Sequence, residues 1–167
     1  SLAIKKINQT VFKLNQIDGG QVINDCILID NSMHPFKSFL PQESKRNVKD
    51  WIMLAANKAI EMGITTVHDA WQDRTIVESI IELIEEDKFP IKCYGMLAGN
   101  DRNLLNDFFK NGHYENEYLR VRSVKAFIDG ALGSRGAALH EPYCDDAHNC
   151  GLILISKEEF SDLANLC

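Results

Sequence analysis

From residue 47 onward the chain alternates between helical and strand-like hydrophobic patterns, and this alternation constrains its fold more than any other feature. Helical stretches separate three short segments rich in apolar and β-branched residues at 64–69, 91–97 and 120–128. Strands that alternate with helices are typical of right-handed βαβ units, in which neighbouring strands run parallel. The sequence therefore predicts an α/β domain over residues 47–167.

Capping residues predict where the helices begin and end. Asn47 and Asp73 each precede a helical stripe of apolar residues and are predicted N-caps. Ser156, with Glu159 three residues later, forms a capping box before the last helix. Gly63 is the predicted stop of the first helix of the α/β part.

Residues 1–46 follow a different pattern. Weak helical spacing over 2–14 leads into a turn signal at Asp18-Gly19-Gly20, an apolar run over 26–29 and a break at Asn31-Ser32. We predict a small N-terminal appendage of mixed helix, hairpin and loop, with the domain boundary after residue 46.

The periodicity leaves the size of the folding unit open. Three strands are too few to close an eight-stranded barrel and few for a doubly wound sheet. The last helix also reaches Cys167 after about three turns. Either this chain is a segment of a larger fold, or it is a small three-layer domain whose N-terminal run supplies a fourth strand.

Composition excludes several classes of function. A formal charge of -6 argues against a nucleic-acid partner, because phosphate contacts need clustered Lys and Arg. No apolar run approaches the roughly 20 residues that span a bilayer, and no secretory leader is visible. The five cysteines lack the spacing of a disulfide framework, so we interpret them as reduced thiols and predict a cytoplasmic protein.

The stretch VKAFIDGALGSRGAA at 124–138 is the best candidate for chemistry. Lys125 lies within an apolar strand, where a cation is costly unless it is paired or its charge is removed. Asp129 follows where the strand gives way to a loop, and Arg135 lies between two glycines of that loop. Carboxyl ends of strands are where α/β enzymes place working side chains. His68 is predicted to close the first strand at the same edge of the sheet.

Each of these residues also has a structural interpretation. Lys125 could extend to solvent or pair with Asp129, two pleats along the same face. Asp129 could cap a turn, Arg135 could form a surface ion pair, and His68 could be a hydrogen-bonded histidine beside a loop-capping Asp69. His140, Cys144, His148 and Cys150 form a second group of metal-ligand types, although their spacing matches no common zinc knuckle.

Several segments resemble the amidohydrolase superfamily, and specifically amidohydrolase family 3, which includes the N-substituted formamide deformylases. ITTVHDA at 64–70 looks like the second barrel strand, and VRSVKAFIDGALGSRGAAL at 121–139 is similar to the fourth strand and its loop. LIDNSM at 28–33 and EPYCDDAHNCGLILISKEEF at 141–160 resemble further stretches in the same order. The resemblance favours the segment interpretation, with roughly strands two to four of a (β/α)8 TIM barrel.

The resemblance also implies a chemistry. By this resemblance Lys125 corresponds to the family's carboxylated lysine, a ligand of a divalent metal, expected to be zinc, that acts on the C–N bond of a small amide or formamide. Asp129, Arg135 and His68 are then candidates for binding or polarising the substrate. The family's His-x-His pair does not occur in this sequence, and its downstream histidines are also absent. We therefore expect the chain by itself to lack the metal and to be inactive; the alternative is a non-catalytic α/β module that binds a partner.

A partial barrel predicts one further property. The strands that begin near Ile64 and Arg120 would lack neighbours and expose hydrogen-bonding edges. We expect either self-association through these edges or coverage of an edge by the first 46 residues.

Overall fold

The computed structural model of the protein describes residues 17–23, 27–37, 40 and 43–167. These residues form two compact units. The loop unit joins the described part of Ser1–Pro41 to Phe127–Leu166, and the sheet unit comprises the described residues of Gln42–Ala126. The boundary predicted after residue 46 remains a prediction.

The loop unit contains little regular structure. A hairpin of β1 (Gly20–Ile23) and β2 (Ile27–Asp30) pairs antiparallel, and a 3-10 turn over Asn31–Met33 leads into α1 (His34–Lys37). After Phe127 the chain runs through loops with a short 3-10 turn at Leu132–Ser134 and ends in α5 (Lys157–Leu166). The Ser156–Glu159 capping box is confirmed, because each residue's backbone N–H donates to the other's side chain.

The sheet unit contains the predicted alternation of helices and strands. In chain order it consists of α2 (Lys45–Glu61), β3 (Thr66–Gln72), α3 (Arg74–Glu85), β4 (Lys92–Ala98), α4 (Arg102–Asn111), β5 (Tyr114–Glu115) and β6 (Leu119–Lys125). The strand order is β3-β4-β6-β5, with β3, β4 and β6 parallel and β5 antiparallel to β6. The parallel α/β prediction is confirmed.

The two faces of this sheet differ sharply. Residues that pair across parallel strands share a face, so Val67, Cys93 and Leu119 form one row. Cys93 and Leu119 are buried, as are the apolar residues Ile80 of α3 and Leu104 of α4, so the helices cover this side, which we call the helix face. The opposite side, the open face, carries side chains that are exposed or half-buried in the middle of the strands.

Several predicted boundaries shift. The first strand begins two residues later than predicted and continues to Gln72, because a bulge between Asp69 and Gln72 restores its pairing with β4. Asn47 is not the N-cap of α2; its backbone N–H is instead capped by the Ser44 side chain. Asp73 caps α3 as predicted, and Gly63 follows α2 with a φ of 78°, the conformation that favours glycine at a helix stop.

The last parallel strand also ends early. It was predicted to reach residue 128, but β6 stops at Lys125. β5 was not predicted, and it covers β6 only beside Arg120 and Val121.

No helix in the part of the chain that the structure describes is long and apolar enough to cross a membrane.

Candidate functional site

Lys125 lies at the carboxyl end of a parallel strand, whereas the sequence predicts it within a strand that continues to residue 128. It is the last residue of β6 and pairs with Ala98, the last residue of β4. The Gly99 backbone N–H donates to the Lys125 carbonyl at 2.9 Å, which fixes the strand end. The side chain is half-buried and belongs to the open face, since Ala98 and Tyr94 share that face by alternation.

His68 is on the open face but not at the strand end. It is the third residue of β3, opposite Tyr94, and the two rings lie 5.1 Å apart with a tilt of 34°. The prediction that His68 closes the strand is therefore wrong. In β4, Tyr94 is the partner of His68, Ala98 is the partner of Lys125, and four residues separate the two. His68 is therefore about 13 Å from Lys125 along the strand direction. The structure does not bring these two side chains together.

Asp69 is turned to the helix face and does not cap the loop. It shares a row with Gly95 and accepts a hydrogen bond from Gln72 Nε2 at 3.1 Å. The same Gln72 nitrogen lies 3.5 Å from Cys93 Sγ. Burial raises the pKa of the Cys93 thiol to about 11, and the negative charge of Asp69 adds to that shift.

Gln72 is a site feature that the sequence did not reveal. It is fully buried, and its Oε1 has no hydrogen-bond partner among the described residues. A Cβ on Gly95 would lie 2.1 Å from that oxygen, so the glycine makes room for the amide. Periodicity could not show this, because the contact depends on which residue of β4 pairs beside the bulge.

Asp129 belongs to the loop unit and follows the last residue of β6 by four positions in the chain. It pairs as an antiparallel bridge with Ile153, and its Oδ2 accepts the Ala138 backbone N–H at 3.0 Å. The interpretation that Asp129 continues the strand face two pleats past Lys125 is wrong, because the strand ends before it. The carboxylate closes the loop, and its Oδ1 has no partner among the described residues.

Arg135 lies in the same loop with a left-handed backbone. Its φ is 58°, which is uncommon for a residue with a side chain, and its Nη2 lies 2.8 Å from Asp145 Oδ2. This hydrogen bond raises the pKa of the Arg135 guanidinium and lowers the pKa of the Asp145 carboxyl. Asn149 supports the loop by donating to the Arg135 carbonyl at 3.1 Å. Both charged groups are exposed, so the pair adds little to stability.

The donors that a metal would need do not converge in the described part of the chain. There, no three His, Cys, Asp or Glu side chains form a group that could hold an ion, and this includes the group at residues 140–150. Lys125 lies at the strand end, and the described residues place no such group of ligands around it.

Comparison with known sequences identifies the class of protein. The sequence profile of the amidohydrolase family matches residues 25–167. Since this range is most of the chain, the chain belongs to the amidohydrolase family, and the resemblance to its family 3 domain is confirmed.

Two curated relatives match most of the chain. Protein LONG AFTER FAR-RED 3 of Arabidopsis thaliana is 28% identical over 149 residues, covering 81% of this chain and 25% of that protein. Putative amidohydrolase YtcJ of Bacillus subtilis (strain 168) is 24% identical over 146 residues, covering 81% of this chain and 27% of that protein. The chain spans about a quarter of the length of these relatives.

Solved structures share the fold. An uncharacterized metal-dependent hydrolase from Pyrococcus furiosus superposes with a TM-score of 0.67 at 19% identity, covering 94% of this chain and 34% of that one. Its counterpart from Pyrococcus horikoshii OT3 gives a TM-score of 0.69 at 19% identity, with 95% and 33% covered. The mixed α/β arrangement with parallel strands is therefore one that metal-dependent hydrolases use.

Proposed function

We propose that this chain forms the central part, roughly strands two to four, of a (β/α)8 barrel in a metal-dependent amidohydrolase. The substrate is a small molecule with an amide or formamide C–N bond, as in the N-substituted formamide deformylases, and the metal is Zn²⁺. The family match over residues 25–167 supports the class of enzyme. The observation that carries the site is Lys125 at the carboxyl end of β6 on the open face.

Lys125 is the proposed metal ligand, as a carbamate. The ammonium first loses a proton, and the neutral amine then forms an N–C bond to carbon dioxide and releases a second proton. The resulting anionic carbamate is an oxygen donor that suits a divalent ion, and it removes the cost of a half-buried cation. The other ligands come from parts of the polypeptide outside these residues. The chain by itself is then inactive, because its described residues supply one ligand only.

Asp129 and Arg135 are the proposed substrate-binding residues. Asp129 has one carboxylate oxygen held by the Ala138 amide and one without a described partner, so it can accept a hydrogen bond from a substrate N–H. Arg135 offers a guanidinium that suits a carbonyl or carboxylate, once its bond to Asp145 is exchanged for the substrate. His68 lies about 13 Å below the strand ends, so its geometry favours a role in packing with Tyr94 over one in catalysis.

The test uses the full-length protein. Removal of the metal with a chelator should abolish hydrolysis of N-formyl and N-acyl amines, and addition of Zn²⁺ should restore it. A full-length protein that never hydrolyses such amides, with or without Zn²⁺, would contradict the proposal and favour a binding module.

A pair of lysine variants isolates the ligand. Lys125→Arg keeps a positive charge but cannot form the carbamate, so kcat/KM should fall by more than about 100-fold and bound zinc should be lost. Lys92→Arg makes the same change at the opposite end of the neighbouring strand, where the side chain is exposed, and should leave both quantities unchanged. Equal effects of the two substitutions would overturn the assignment.

We also propose a cytoplasmic location, from the reduced cysteines.

A further inference from the structure

We propose that Asn31 is a positioning residue for Asp129: its side-chain amide ties the β1–β2 hairpin to the backbone segment that holds this carboxylate in place. The inference rests on the proposed function for Asp129 as a substrate-binding group. Asn31 is 98 positions from Asp129 in sequence and was predicted only as a break after the apolar run. Both residues belong to the loop unit.

The Asn31 side chain uses both protons of its amide nitrogen. Nδ2 donates to the Asp18 carbonyl at 2.9 Å and to the Leu154 carbonyl at 3.0 Å. The first bond closes the open end of the hairpin, where the Asn31 backbone N–H also donates to the Gly19 carbonyl at 3.1 Å. The second reaches a segment 123 residues away. An aspartate has the same shape but no donor, so it could make neither bond.

The segment that Asn31 holds is the partner of Asp129. The Leu154 backbone N–H donates to the Ile128 carbonyl at 2.8 Å, and Ile153 forms the antiparallel bridge with Asp129. The Leu154 N–H thus donates to the Ile128 carbonyl, and the Leu154 carbonyl accepts from the Asn31 side chain. Displacement of the hairpin would release one side of this short pairing.

Asp129 is fixed on its other side by the loop. Its Oδ2 accepts the Ala138 N–H, and the Gly130 N–H donates to the Gly136 carbonyl at 3.1 Å. With the Ile153 bridge, these contacts set the direction of the remaining oxygen, Oδ1. A substrate-binding carboxylate needs such supporting bonds, because small displacements at a site cost large factors in rate.

Backbone packing gives an independent indication that the hairpin is seated against this segment. A Cβ on Gly19 would lie 2.6 Å from the Ile153 carbonyl oxygen and 2.6 Å from Asn31 Nδ2. Gly19 also has a φ of 70°, which a side chain would strain. The turn signal at residues 18–20 therefore does more than reverse the chain, since the absence of a side chain lets the hairpin approach the partner of Asp129 directly.

The test compares variants in the full-length, metal-loaded protein. Asn31→Asp keeps the shape and removes both donated bonds, so the amide protons of Leu154 and Ala138 should exchange about 10-fold faster. Asn116→Ala is the control, since Asn116 makes three comparable hydrogen bonds in the sheet unit. It should leave exchange at Leu154 and Ala138 unchanged. Unchanged exchange at these two amides in Asn31→Asp would overturn the proposal, whether or not the protein hydrolyses amides.

A double-mutant cycle distinguishes positioning from a general loss of stability. For a formamide substrate, Asn31→Asp should lower kcat/KM by about 10-fold, mainly through KM, because Asp129 binds substrate. In an Asp129→Ala background the same substitution should have no further effect. An equal loss in both backgrounds would show that Asn31 does not act through Asp129. Absence of hydrolysis by the wild type would instead refute the proposed function, and the exchange measurement would still decide the placement of Asp129.

Discussion

At residue 95 the sheet requires a position without a side chain, because the buried amide of Gln72 fills that space. We predict that Gly95→Ala destabilises the chain by about 1–3 kcal/mol, the usual cost of an added atom in a packed interior. Gly133→Ala is the matched control, since a Cβ there meets nothing within 4 Å, and it should change stability by less than about 0.5 kcal/mol. Urea unfolding measures both, and equal midpoints for the two variants would refute the prediction.

The buried thiol of Cys93 offers a second prediction at this scale. With a pKa of about 11, only about one thiol in a thousand is ionised at pH 8, and the thiolate is the reactive form. Iodoacetamide at pH 8 should label the exposed Cys144, Cys150 and Cys167 while Cys93 is protected until urea unfolds the chain. Peptide mapping by mass spectrometry reads each site. Labelling of Cys93 in the folded chain at the rate of Cys150 would contradict the placement.

Single residues could be predicted where their contacts are local. Asp73 and Ser156 act on backbone groups within three residues, so sequence spacing is sufficient to identify them. The partners of Gln72 and Asn31 could not be predicted, because they depend on strand pairing and on segments far apart in the chain. Lys125 was correctly placed on a parallel strand but not at its end, and His68 was misplaced because the bulge extends β3 beyond it.

Among the elements, α2 and α3 are joined by alternating charges. Lys45 pairs with Glu78 at 3.1 Å and with Glu82, and Lys49 pairs with Glu82 at 2.7 Å and Glu86 at 2.8 Å. Hydrogen bonds from Lys49 and Lys88 lower the pKa of Glu86 to about 2, and those from Lys45 and Lys49 lower the pKa of Glu82. The two helices are thereby linked through groups that are ionised at neutral pH.

These lowered pKa values predict acid sensitivity. A carboxylate whose pKa is lower in the folded chain stabilises it above about pH 4.5, and this contribution is lost as the pH falls from there toward about 2. The midpoint of urea unfolding should therefore drop more between pH 6 and pH 3 for the wild type than for a Glu82→Gln/Glu86→Gln variant. Glu85→Gln, on the same helix, should behave as the wild type. A variant with the wild-type pH profile would exclude these pairs as the cause.

Elements were easier to predict than their ends. The helical and strand-like periods identified α2, α3, α4 and three parallel strands, because apolar spacing reports burial on one face. The end of β6 at Lys125 was missed, since the following residues stay apolar after the pairing stops. β5 has two residues and therefore no period to detect.

For the whole molecule, we predict self-association. Among the described residues β4 is the only strand that pairs with β3, so no strand lies along the other edge of β3. α2, which precedes β3, exposes Trp51 by 52% and Leu54 by 69%, and their spacing places them on one side of the helix. Exposed apolar groups and an open strand edge both favour contact with a second copy.

Sedimentation velocity tests this association. The chain should show a concentration-dependent increase in sedimentation coefficient, and Leu54→Glu should shift it toward the monomer. Leu132→Glu changes the same residue type at 66% exposure in the loop unit and should have no effect. A wild type that sediments as a monomer at every concentration would refute the prediction.

The fold class followed from periodicity, because alternating helices and strands have few arrangements. The division into two units could not be predicted from periodicity. The loop unit combines segments from both ends of the sequence, and no local pattern marks their contact. The candidate residues also differ in how far they could be predicted. Lys125 is on a regular strand and could be placed, whereas Asp129 and Arg135 depend on loop contacts that only the structure reveals.

The bond between Asn31 and the Leu154 carbonyl also has a consequence for biosynthesis. The two residues are 123 positions apart, and the whole sheet unit lies between them. At translation rates of about 5–20 residues per second, Asn31 is incorporated about 6–25 s before Leu154. The β1–β2 hairpin therefore waits for its partner while the sheet unit is still being synthesised, and slower translation of residues 127–154 would prolong its exposure to chaperones and proteases.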